Sequence, residues 1–455
     1  MNEQPKQFKW VGTRAIRPDG VDKVTGRAMY GADLSLPGMV EGKVVRSPHA
    51  HARIISIDTS KAEALNGVTA VITAADMPVA DSKPVASGEA MINFKDLANN
   101  VLAREKALYE GQAVAAVAAK TADIAEQAAA LIVVNYEVLP HVIDVMEAIK
   151  EDAPVLHDDM FTGGVKPKPE KASNVANRVE FALGDADAGF AAADLVIERQ
   201  FTTEPVHQGY IEPHAVVADM NPDGKVDVFC SSQGHFMVRA FCSQLLHIEM
   251  SKIKVTAAEI GGGFGGKTTV YLEPLAIMLS RKSGRPVRMT MSREEVFRGS
   301  GATSGAAMTI KMGATKDGKI TGAYAELYLQ AGAFPGSPVG PAAMTAFAPY
   351  DLANVKVVGF DVVSNRQKVV AYRAPGAPIS EYGVESVVDE LASELGIDPI
   401  EIRSMNGAKE GTQAAYGVKF GTIGFQETLD AAKATEHFKT PLGPNQGRGV
   451  ASGFW

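Results

Sequence analysis

Cysteine is scarce in this chain of 455 residues, which has only Cys230 and Cys242 and no C-x-x-C motif. A disulfide scaffold needs several cysteine pairs, and cysteine-bound zinc or an iron–sulfur cluster needs several cysteines close together. None of these is therefore expected in this chain. Two isolated cysteines are typical of proteins from a reducing compartment, which favours a cytoplasmic location.

Long apolar runs and an excess of positive charge are also missing. No stretch of about 18 apolar residues suits a membrane span, and residues 1–6 lack the apolar segment of a secretory signal. The net charge of −8 does not favour a nucleic-acid surface. Because no motif recurs with a period of about 20–50 residues, a solenoid or propeller is not expected.

Glycine is abundant, with 44 residues, and five of the six positions 261–266 are glycine, interrupted only by Phe264. The apolar run 253–260 predicts a strand before this glycine loop, and the apolar positions of 269–282 predict a helix after it. Consecutive glycine amides beside a helix N-terminus can hold an anion or an oxo group. The plainer alternative is a tight turn packed against other backbone.

The same stretch also matches a nucleotide-binding motif. Residues 261–268 read G-G-G-F-G-G-K-T, which satisfies the P-loop pattern G-x-x-x-x-G-K-[ST] with Lys267 as the phosphate-binding lysine. A P-loop enzyme also needs a strand ending in an aspartate that holds Mg²⁺, within an alternating β-α sheet. We find no convincing strand of that kind downstream, so a P-loop NTPase is an alternative that the wider sequence does not favour.

The chain divides by composition into an arm (1–20), a first folded region (21–150), a linker (151–176) and a second folded region (177–455). Strands predicted at 40–46, 54–57, 68–73, 113–118 and 132–136 alternate with helices and indicate an α+β domain. Gly163, Gly164, Pro167 and Pro169 indicate an extended, solvated linker. The second region shows hairpin turns at 222–224 and 317–318, and helices at 236–246 and 381–395.

Two more loops carry polar side chains at predicted strand ends. Gln233 follows the strand ending at Cys230, and its amide can donate toward the glycine loop or merely cap the next helix. Arg373 is the one charge in the loop 371–378, where it can bind a carboxylate or phosphate or be a plain surface residue. We expect Gln233 to lie within about 10 Å of the Phe264 amide, so that both serve one ligand.

The histidines do not form a convincing metal site. His49 and His51 lie two apart but have no third ligand nearby. His207 and His214 flank Glu212, although this spacing fits no helical metal motif. A structural role is favoured for both pairs.

Further short motifs are spread along the chain. They include D-K-V-T-G at 22–26, R-S-P-H-A at 46–50, Y-E-V-L-P at 136–140, E-P-H-A at 212–215 and S-R-E-E at 292–295. In combination with Gln233, the glycine loop and Arg373, they resemble the molybdenum hydroxylases of the xanthine dehydrogenase/aldehyde oxidase family. The likeness covers nearly the whole chain and places its residues in the first part of the family's large, molybdopterin-binding subunit.

The resemblance implies an α/β-hammerhead domain at 21–150 and a first molybdopterin-binding α+β domain at 177–455. It further implies molybdenum held through molybdopterin, in bacteria usually the cytosine dinucleotide, with no metal ligand from a side chain. By similarity, Gln233 and the loop residues would hold the oxo ligand of the metal, and Arg373 would face the substrate. The loop residues concerned are Gly262, Gly263, Phe264, Gly265 and Gly266. Fixed N–H donors suit such anionic ligands.

The implied reaction is hydroxylation of an aldehyde or N-heteroaromatic carbon with oxygen derived from water. Iron–sulfur clusters and FAD are expected on partner subunits. Thr268 stands where purine-oxidising members have an acidic residue, which makes a purine substrate doubtful. Ala374 stands where the carbon monoxide dehydrogenases have a cysteine, so that reaction is not expected either.

In the family, a second half that carries many pterin contacts and a glutamate base begins near Trp455. We expect a second molybdopterin subunit, as in split large subunits of the nicotinate dehydrogenase type, or else a truncated sequence. Glu212 and Glu259 do not match that base, so glutamine at either position is expected to keep substantial turnover. Residues 450–455 are expected to begin a strand that the partner covers. A structural subunit without cofactor is the remaining alternative.

Overall fold

The computed structural model describes residues 8–82, 84–87 and 90–455. Residues 1–6, on which the expectation of no secretory signal rests, lie outside these ranges. Within them, no helix is both long and apolar enough to cross a membrane.

Strands and helices alternate along most of the chain. The strands are β1 (Val40–Arg46), β2 (Ala52–Asp58), β3 (Val68–Thr73), β4 (Pro84–Ser87), β5 (Ala90–Asn93), β6 (Lys106–Ala107), β7 (Ala113–Ala119), β8 (Val133–Val138), β9 (Val175–Leu183), β10 (Leu195–Thr203), β11 (Ala215–Met220), β12 (Val226–Cys230), β13 (Ile253–Ala257), β14 (Val287–Thr290), β15 (Ala306–Ala314), β16 (Ile320–Gly332) and β17 (Val355–Val363). The α-helices are α1 (Gly20–Thr25), α2 (Ser60–Glu63), α3 (Phe94–Val101), α4 (Ala122–Leu131), α5 (Val145–Ala148), α6 (Ala186–Ala191), α7 (His235–Leu246), α8 (Glu273–Ser283), α9 (Arg293–Gly299), α10 (Val339–Thr345), α11 (Ala377–Leu395), α12 (Pro399–Asn406), α13 (Phe425–Ala434) and α14 (Glu436–Lys439).

A seven-stranded sheet combines strands from both folded regions in the order β13-β12-β11-β14-β1-β7-β3. β1 is parallel to β14, with Val40 opposite Val287, and antiparallel to β7. Every residue of β7 is buried, as expected for a continuous apolar run inside a sheet. This sheet therefore contains strands from both 21–150 and 177–455, so it does not mark a boundary between two domains. The domain boundaries stay a prediction.

A five-stranded sheet in the order β10-β15-β16-β17-β9 lies within the second region. α11 packs on it so closely that a Cβ on Gly383 would come within 2.8 Å of the Met308 sulfur. Val384, Val388 and Leu391 recur at helical spacing and are buried in the core between helix and sheet. A three-stranded sheet β6-β2-β8 and the pair β4-β5 complete the pairing of the named strands.

Local sequence patterns predict much of this architecture correctly. The mixture of sheets and helices confirms the α+β class. β1 and β3 begin and end at the predicted residues, and the predicted hairpins are the antiparallel pairs β11-β12 and β15-β16. The helices predicted at 236–246 and 381–395 are α7 and most of α11. In these elements local periodicity and tertiary packing favour the same structure.

The segment 151–176 is only partly the solvated linker that its composition predicts: Lys166, Lys168 and Lys171 are exposed, but the segment packs against the protein near both of its ends. Leu156 and Asn174 are buried. The Asn174 side chain accepts from the Leu156 N–H at 3.0 Å and donates to the Pro154 carbonyl at 2.9 Å. Gly163 forms a bridge with Asn177 at the edge of the five-stranded sheet. An extended segment needs partners for its backbone groups, and this sheet edge supplies them.

Residues 450–455 do not begin a strand, contrary to the prediction. The Ser452 N–H donates to Glu385 Oε2 at 2.6 Å, and the Phe454 N–H donates to Glu381 Oε1 at 2.8 Å. These two carboxylates stand one turn apart on α11. The Glu381 and Glu385 carboxylates accept the backbone N–H groups that would otherwise pair with a neighbouring strand. Residues 450–455 therefore lie along α11 instead of joining a sheet edge.

Candidate functional site

The glycine loop and the loop carrying Gln233 leave the seven-stranded sheet side by side. β12 and β13 are parallel neighbours, and their last residues, Cys230 and Ala257, lie opposite each other. The carboxyl ends of adjacent parallel strands face the same edge of a sheet. Loops that are about 30 residues apart in sequence therefore start next to each other.

The helix after the glycine loop begins later than predicted. α8 begins at Glu273, with Pro274 in its first turn, and Glu273 Oε2 accepts the Tyr271 N–H at 3.0 Å. Proline suits a first helical turn because that turn needs no N–H from it. Residues 268–272 are not helical, so the glycine loop does not sit on a helix N-terminus and gains no helix dipole there.

The glycines allow the loop to approach its neighbours closely. A Cβ on Gly263 would collide with Gln233 Oε1, and a Cβ on Gly265 would collide with the Ala371 carbonyl. Gly265 also has a φ of 106°, which side chains rarely tolerate. The inner side of the loop is therefore a tight turn packed on protein, as the plainer alternative expects, while Phe264 at its tip is 48% exposed.

Gln233 holds the glycine loop through its side-chain oxygen. Oε1 accepts the N–H of Gly265 at 2.8 Å and that of Lys267 at 3.2 Å. This contact confirms the prediction that Gln233 and the loop converge. Because both neighbours are donors, Oε1 must face the loop, and the Nε2 donor faces elsewhere. Within the described residues Nε2 has no partner, and Gln233 is exposed.

The backbone amides of the loop differ in what they can offer to a ligand. Gly265 donates to Gln233, and Gly266 donates to the Gly263 carbonyl at 2.7 Å. The amides of Gly262, Gly263 and Phe264 donate to no group among the described residues. These three amides, beside Gln233 Nε2, are the free donors of the loop. Direct donation by Gly265 or Gly266 to a ligand stays a prediction.

Arg373 lies on a loop that is bonded to the glycine loop. Its backbone N–H donates to the Phe264 carbonyl at 2.9 Å. Arg373 and Ala374 have φ values of 26° and 62°, a strained region for residues other than glycine. The Arg373 guanidinium is exposed and forms no ion pair with any described residue. The site therefore presents one cation and several N–H donors at one place.

A buried ion pair under the loop was missed by sequence reasoning. Lys267 Nζ lies 2.7 Å from Glu212 Oε2, with the lysine side chain fully buried. The same carboxylate oxygen accepts the Gly261 N–H at 2.7 Å, and the Tyr210 ring centroid lies 4.9 Å from Nζ. Burial lowers the pKa of Lys267, although Glu212 opposes this shift.

This ion pair removes the basis of the P-loop alternative, since Lys267 faces the interior and cannot reach a phosphate on the loop's outer side. It also changes the expectation for Glu212. Because its carboxylate is the counter-charge of the buried Lys267 ammonium, Glu212→Gln is expected to lower the free energy of unfolding. Glu259 pairs with Lys23. Glu212 and Glu259, the two carboxylates weighed as a possible base, are thus engaged in ion pairs, and neither is free to act as a base.

A cluster of histidine and tyrosine lies beneath the ion pair. Tyr210 Oη lies 2.7 Å from His214 Nε2 and 3.2 Å from Ser300 Oγ, which in turn lies 3.0 Å from His207 Nε2. Burial lowers the pKa of His214 to about 3 and that of His207 to about 4. Groups of His, Cys, Asp or Glu able to hold a metal are absent from the described residues. The histidines bond to neighbouring side chains and support Tyr210 below the loop.

Two family models match the chain. The model "Molybdopterin cofactor-binding domain" matches residues 167–407, and the model "Aldehyde oxidase and xanthine dehydrogenase, a/b hammerhead domain" matches residues 25–140. The nicotinate dehydrogenase large molybdopterin subunit of Eubacterium barkeri is 32% identical over 434 residues, which cover 94% of this chain and 96% of that protein. The carbon monoxide dehydrogenase large chain of Afipia carboxidovorans is 34% identical over 423 residues, covering 89% of this chain and 51% of that protein.

Solved structures share the fold. Quinoline 2-oxidoreductase from Pseudomonas putida 86 superposes with a TM-score of 0.83 at 28% identity, covering 94% of this chain and 54% of that chain. Aldehyde oxidoreductase from Desulfovibrio gigas gives a TM-score of 0.82 at 28% identity, covering 92% and 45%. The chain thus spans nearly the whole nicotinate dehydrogenase subunit and about half of the other three proteins.

Replacing Glu212 tests the ion pair. Glu212→Gln leaves the buried Lys267 ammonium without its counter-charge, so the free energy of unfolding is expected to fall by about 3 kcal/mol. Urea unfolding of the purified chain measures this value. The control is Asp227→Asn, which removes a partner of Lys254 at 3.9 Å in an exposed pair and should cost at most about 1 kcal/mol. Equal stability of Glu212→Gln and wild type would show that the pair does not support the loop.

Stability should depend on pH through His214. The folded chain keeps His214 neutral down to about pH 3, whereas the unfolded chain protonates it near its ordinary pKa of 6.5. Between these values the unfolded state binds more protons, so stability falls as pH drops, by up to about 1.4 kcal/mol per pH unit. His214→Gln should remove this contribution from urea unfolding measured at pH 7, 6 and 5. The exposed His437→Gln is the control, and a slope unchanged in His214→Gln would contradict the assignment.

Proposed function

We propose, given that this chain belongs to the xanthine dehydrogenase/aldehyde oxidase family of molybdenum hydroxylases, that it is the catalytic molybdopterin-binding subunit of a multi-subunit hydroxylase. Its fold joins an α/β-hammerhead domain to a molybdopterin-binding domain, and its cofactor is molybdopterin with molybdenum. The proposed reaction is hydroxylation of an aldehyde or N-heteroaromatic carbon with oxygen derived from water. The observation that carries this proposal is the group of free donors on the glycine loop, beside Gln233 and Arg373.

These residues fit an anionic cofactor. The amides of Gly262, Gly263 and Phe264 are free of acceptors among the described residues. Gln233 and Ala371 lie so close to the loop that there is no room for a Cβ at Gly263 or Gly265. Donors fixed in position before a ligand arrives stabilise negative charge without reorganisation. We propose that the amides and Gln233 Nε2 hold the cofactor here, as the cytosine dinucleotide, with no side chain bonded to the metal.

The bound group supplies two-electron redox chemistry and the hydroxylating oxygen. The Gly265 and Lys267 amides fix Oε1 of Gln233, and in this proposal its Nε2 would donate to the ligand. Arg373 binds the substrate and stabilises negative charge that develops on its carbonyl oxygen or ring nitrogen. Thr268 donates its hydroxyl to the Gly265 carbonyl at 2.7 Å and so contributes to loop shape, and it offers no carboxylate to a purine.

The general base is proposed to come from another polypeptide segment. Glu212 and Glu259 are held by Lys267 and Lys23, and a base must be able to take a proton within hydrogen-bond reach of the reacting atoms. Two large apolar side chains that are close in sequence to site residues are exposed: Ile211, beside Glu212, at 88% and Phe236, in the first turn of α7, at 84%. Exposed apolar surface next to a binding site suits contact with another polypeptide segment. We propose that a polypeptide equivalent to the second half of the longer relatives covers it and supplies a glutamate base.

Electron transfer is proposed to run through partner subunits that carry iron–sulfur clusters and FAD. Cys230 and Cys242 are free and buried, and burial raises the pKa of both thiols. Two buried thiols do not make the four-thiolate site that a cluster needs. A reducing, cytoplasmic setting suits such a complex.

Metal analysis of the intact complex tests this function. A preparation isolated through a tag on this chain should hold about one molybdenum per chain. It should oxidise nicotinate, quinoline or benzaldehyde with a dye acceptor and place labelled water oxygen in the product. Arg373→Ala should keep the metal and lower kcat/KM by about 10²-fold, while Arg281→Ala on the exposed side of α8 should change neither. An intact complex without molybdenum would support the structural-subunit alternative instead.

A further inference from the structure

Gln208 lies where the glycine loop and the Arg373 loop touch. Its Nε2 donates to the Ala371 carbonyl at 2.9 Å, and that carbonyl lies directly against Gly265. Gln208 is 6% exposed. A Cβ on Gly266 would come within 3.0 Å of the Gln208 side chain. One buried amide therefore contacts both loops.

The Arg373 loop needs such a support because its backbone is strained. Arg373 and Ala374 both have positive φ values, a conformation that persists only when neighbouring contacts impose it. Two hydrogen bonds tie the start of this loop to its surroundings, one from the Arg373 N–H to Phe264 and one from Gln208 to Ala371. Of the two, only the Gln208 bond comes from a side chain.

The other end of the Gln208 amide has no partner. Oε1 is buried and accepts no hydrogen bond from the described residues. A buried acceptor left unpaired costs stability. An apolar side chain of similar size would avoid this cost, so packing alone does not account for glutamine here, whereas the donor to Ala371 does.

We propose that Gln208 is a positioning residue, which fixes Ala371 and thereby sets where the Arg373 guanidinium stands relative to Gln233 and the glycine loop. The inference rests on the proposed role of Arg373 in binding substrate. Gln208 itself touches neither substrate nor cofactor. It acts through the backbone of residues 371–373, and a small shift of a binding group is enough to cost catalysis heavily.

Hydrogen exchange tests the support without any turnover. Gln208→Leu keeps the size of the side chain, removes the donor and also removes the unpaired acceptor, so the chain is expected to fold. In the intact complex, exchange of the amides in 371–376 should become about five- to tenfold faster, as for the loss of one hydrogen bond. Gln200→Leu, at an exposed position of β10, is the control and should leave this exchange unchanged. Unchanged exchange in folded Gln208→Leu would overturn the proposal.

A double-mutant cycle then tests whether Gln208 acts through Arg373. With nicotinate, quinoline and benzaldehyde as probes, Gln208→Leu should lower kcat/KM by about 10-fold to 10²-fold at unchanged molybdenum content. In an Arg373→Ala background the same substitution should have no further effect. Additive losses would overturn the proposal, since they mean that Gln208 acts elsewhere. If Gln208→Leu does not fold, Gln208→Met replaces it in both measurements.

The proposed function of the chain and the proposed role of Gln208 can be contradicted by different results. A wild-type complex that lacks molybdenum and turns over none of the three probes contradicts the proposed function, and the exchange measurement still decides whether Gln208 holds the loop. A wild-type complex that is active, with normal exchange at 371–376 in Gln208→Leu, contradicts the role of Gln208 alone.

Discussion

The buried ion pair between Lys267 and Glu212 is the constraint on which the site depends. Glu212 accepts hydrogen bonds from the Lys267 ammonium, from the Gly261 amide and, at 3.4 Å, from the Gly31 amide. One carboxylate thus joins both ends of the glycine loop to the N-terminal part of the chain. Charges that have been removed from water are stable only with such complete pairing, so the loop is held in one conformation from below.

Sheet topology explains how distant residues meet above that ion pair. The parallel pairing of β12 with β13 brings the Gln233 loop beside the glycine loop. The Arg373 loop follows β17, the last strand of the five-stranded sheet, and its backbone bonds to Phe264 of the glycine loop. The outer surface therefore gathers N–H donors and one guanidinium from three loops, while the hydrogen bonds that hold them lie beneath it.

Sequence patterns predict the parts of this arrangement that local chemistry determines. The apolar segments of β1 and β3, the turn glycines of the hairpins and the strand before Gln233 are signals that act over a few residues, and each predicted element is confirmed. The convergence of Gln233 with Gly265 is predictable too, because adjacent parallel strands place their following loops together.

The remaining features depend on long-range pairing that a local pattern does not contain. The residues around Lys267 fit a phosphate-binding lysine as well as they fit a buried, paired one. The partner that decides between the two, Glu212, lies 55 residues upstream. The start of α8 depends on Glu273 and Pro274 rather than on the apolar run before them. The path of residues 450–455 depends on carboxylates of α11 that a strand pattern cannot reveal.

A high-resolution structure of the molybdenum-loaded complex tests the central claim most directly. We expect a cofactor oxygen at about 2.7–3.2 Å from the Phe264 amide nitrogen or Gln233 Nε2, with Lys267 still paired to Glu212. A cofactor placed more than about 10 Å from the glycine loop, beyond any hydrogen bond, would contradict it. So would a Lys267 ammonium that has left Glu212 to bind the ligand.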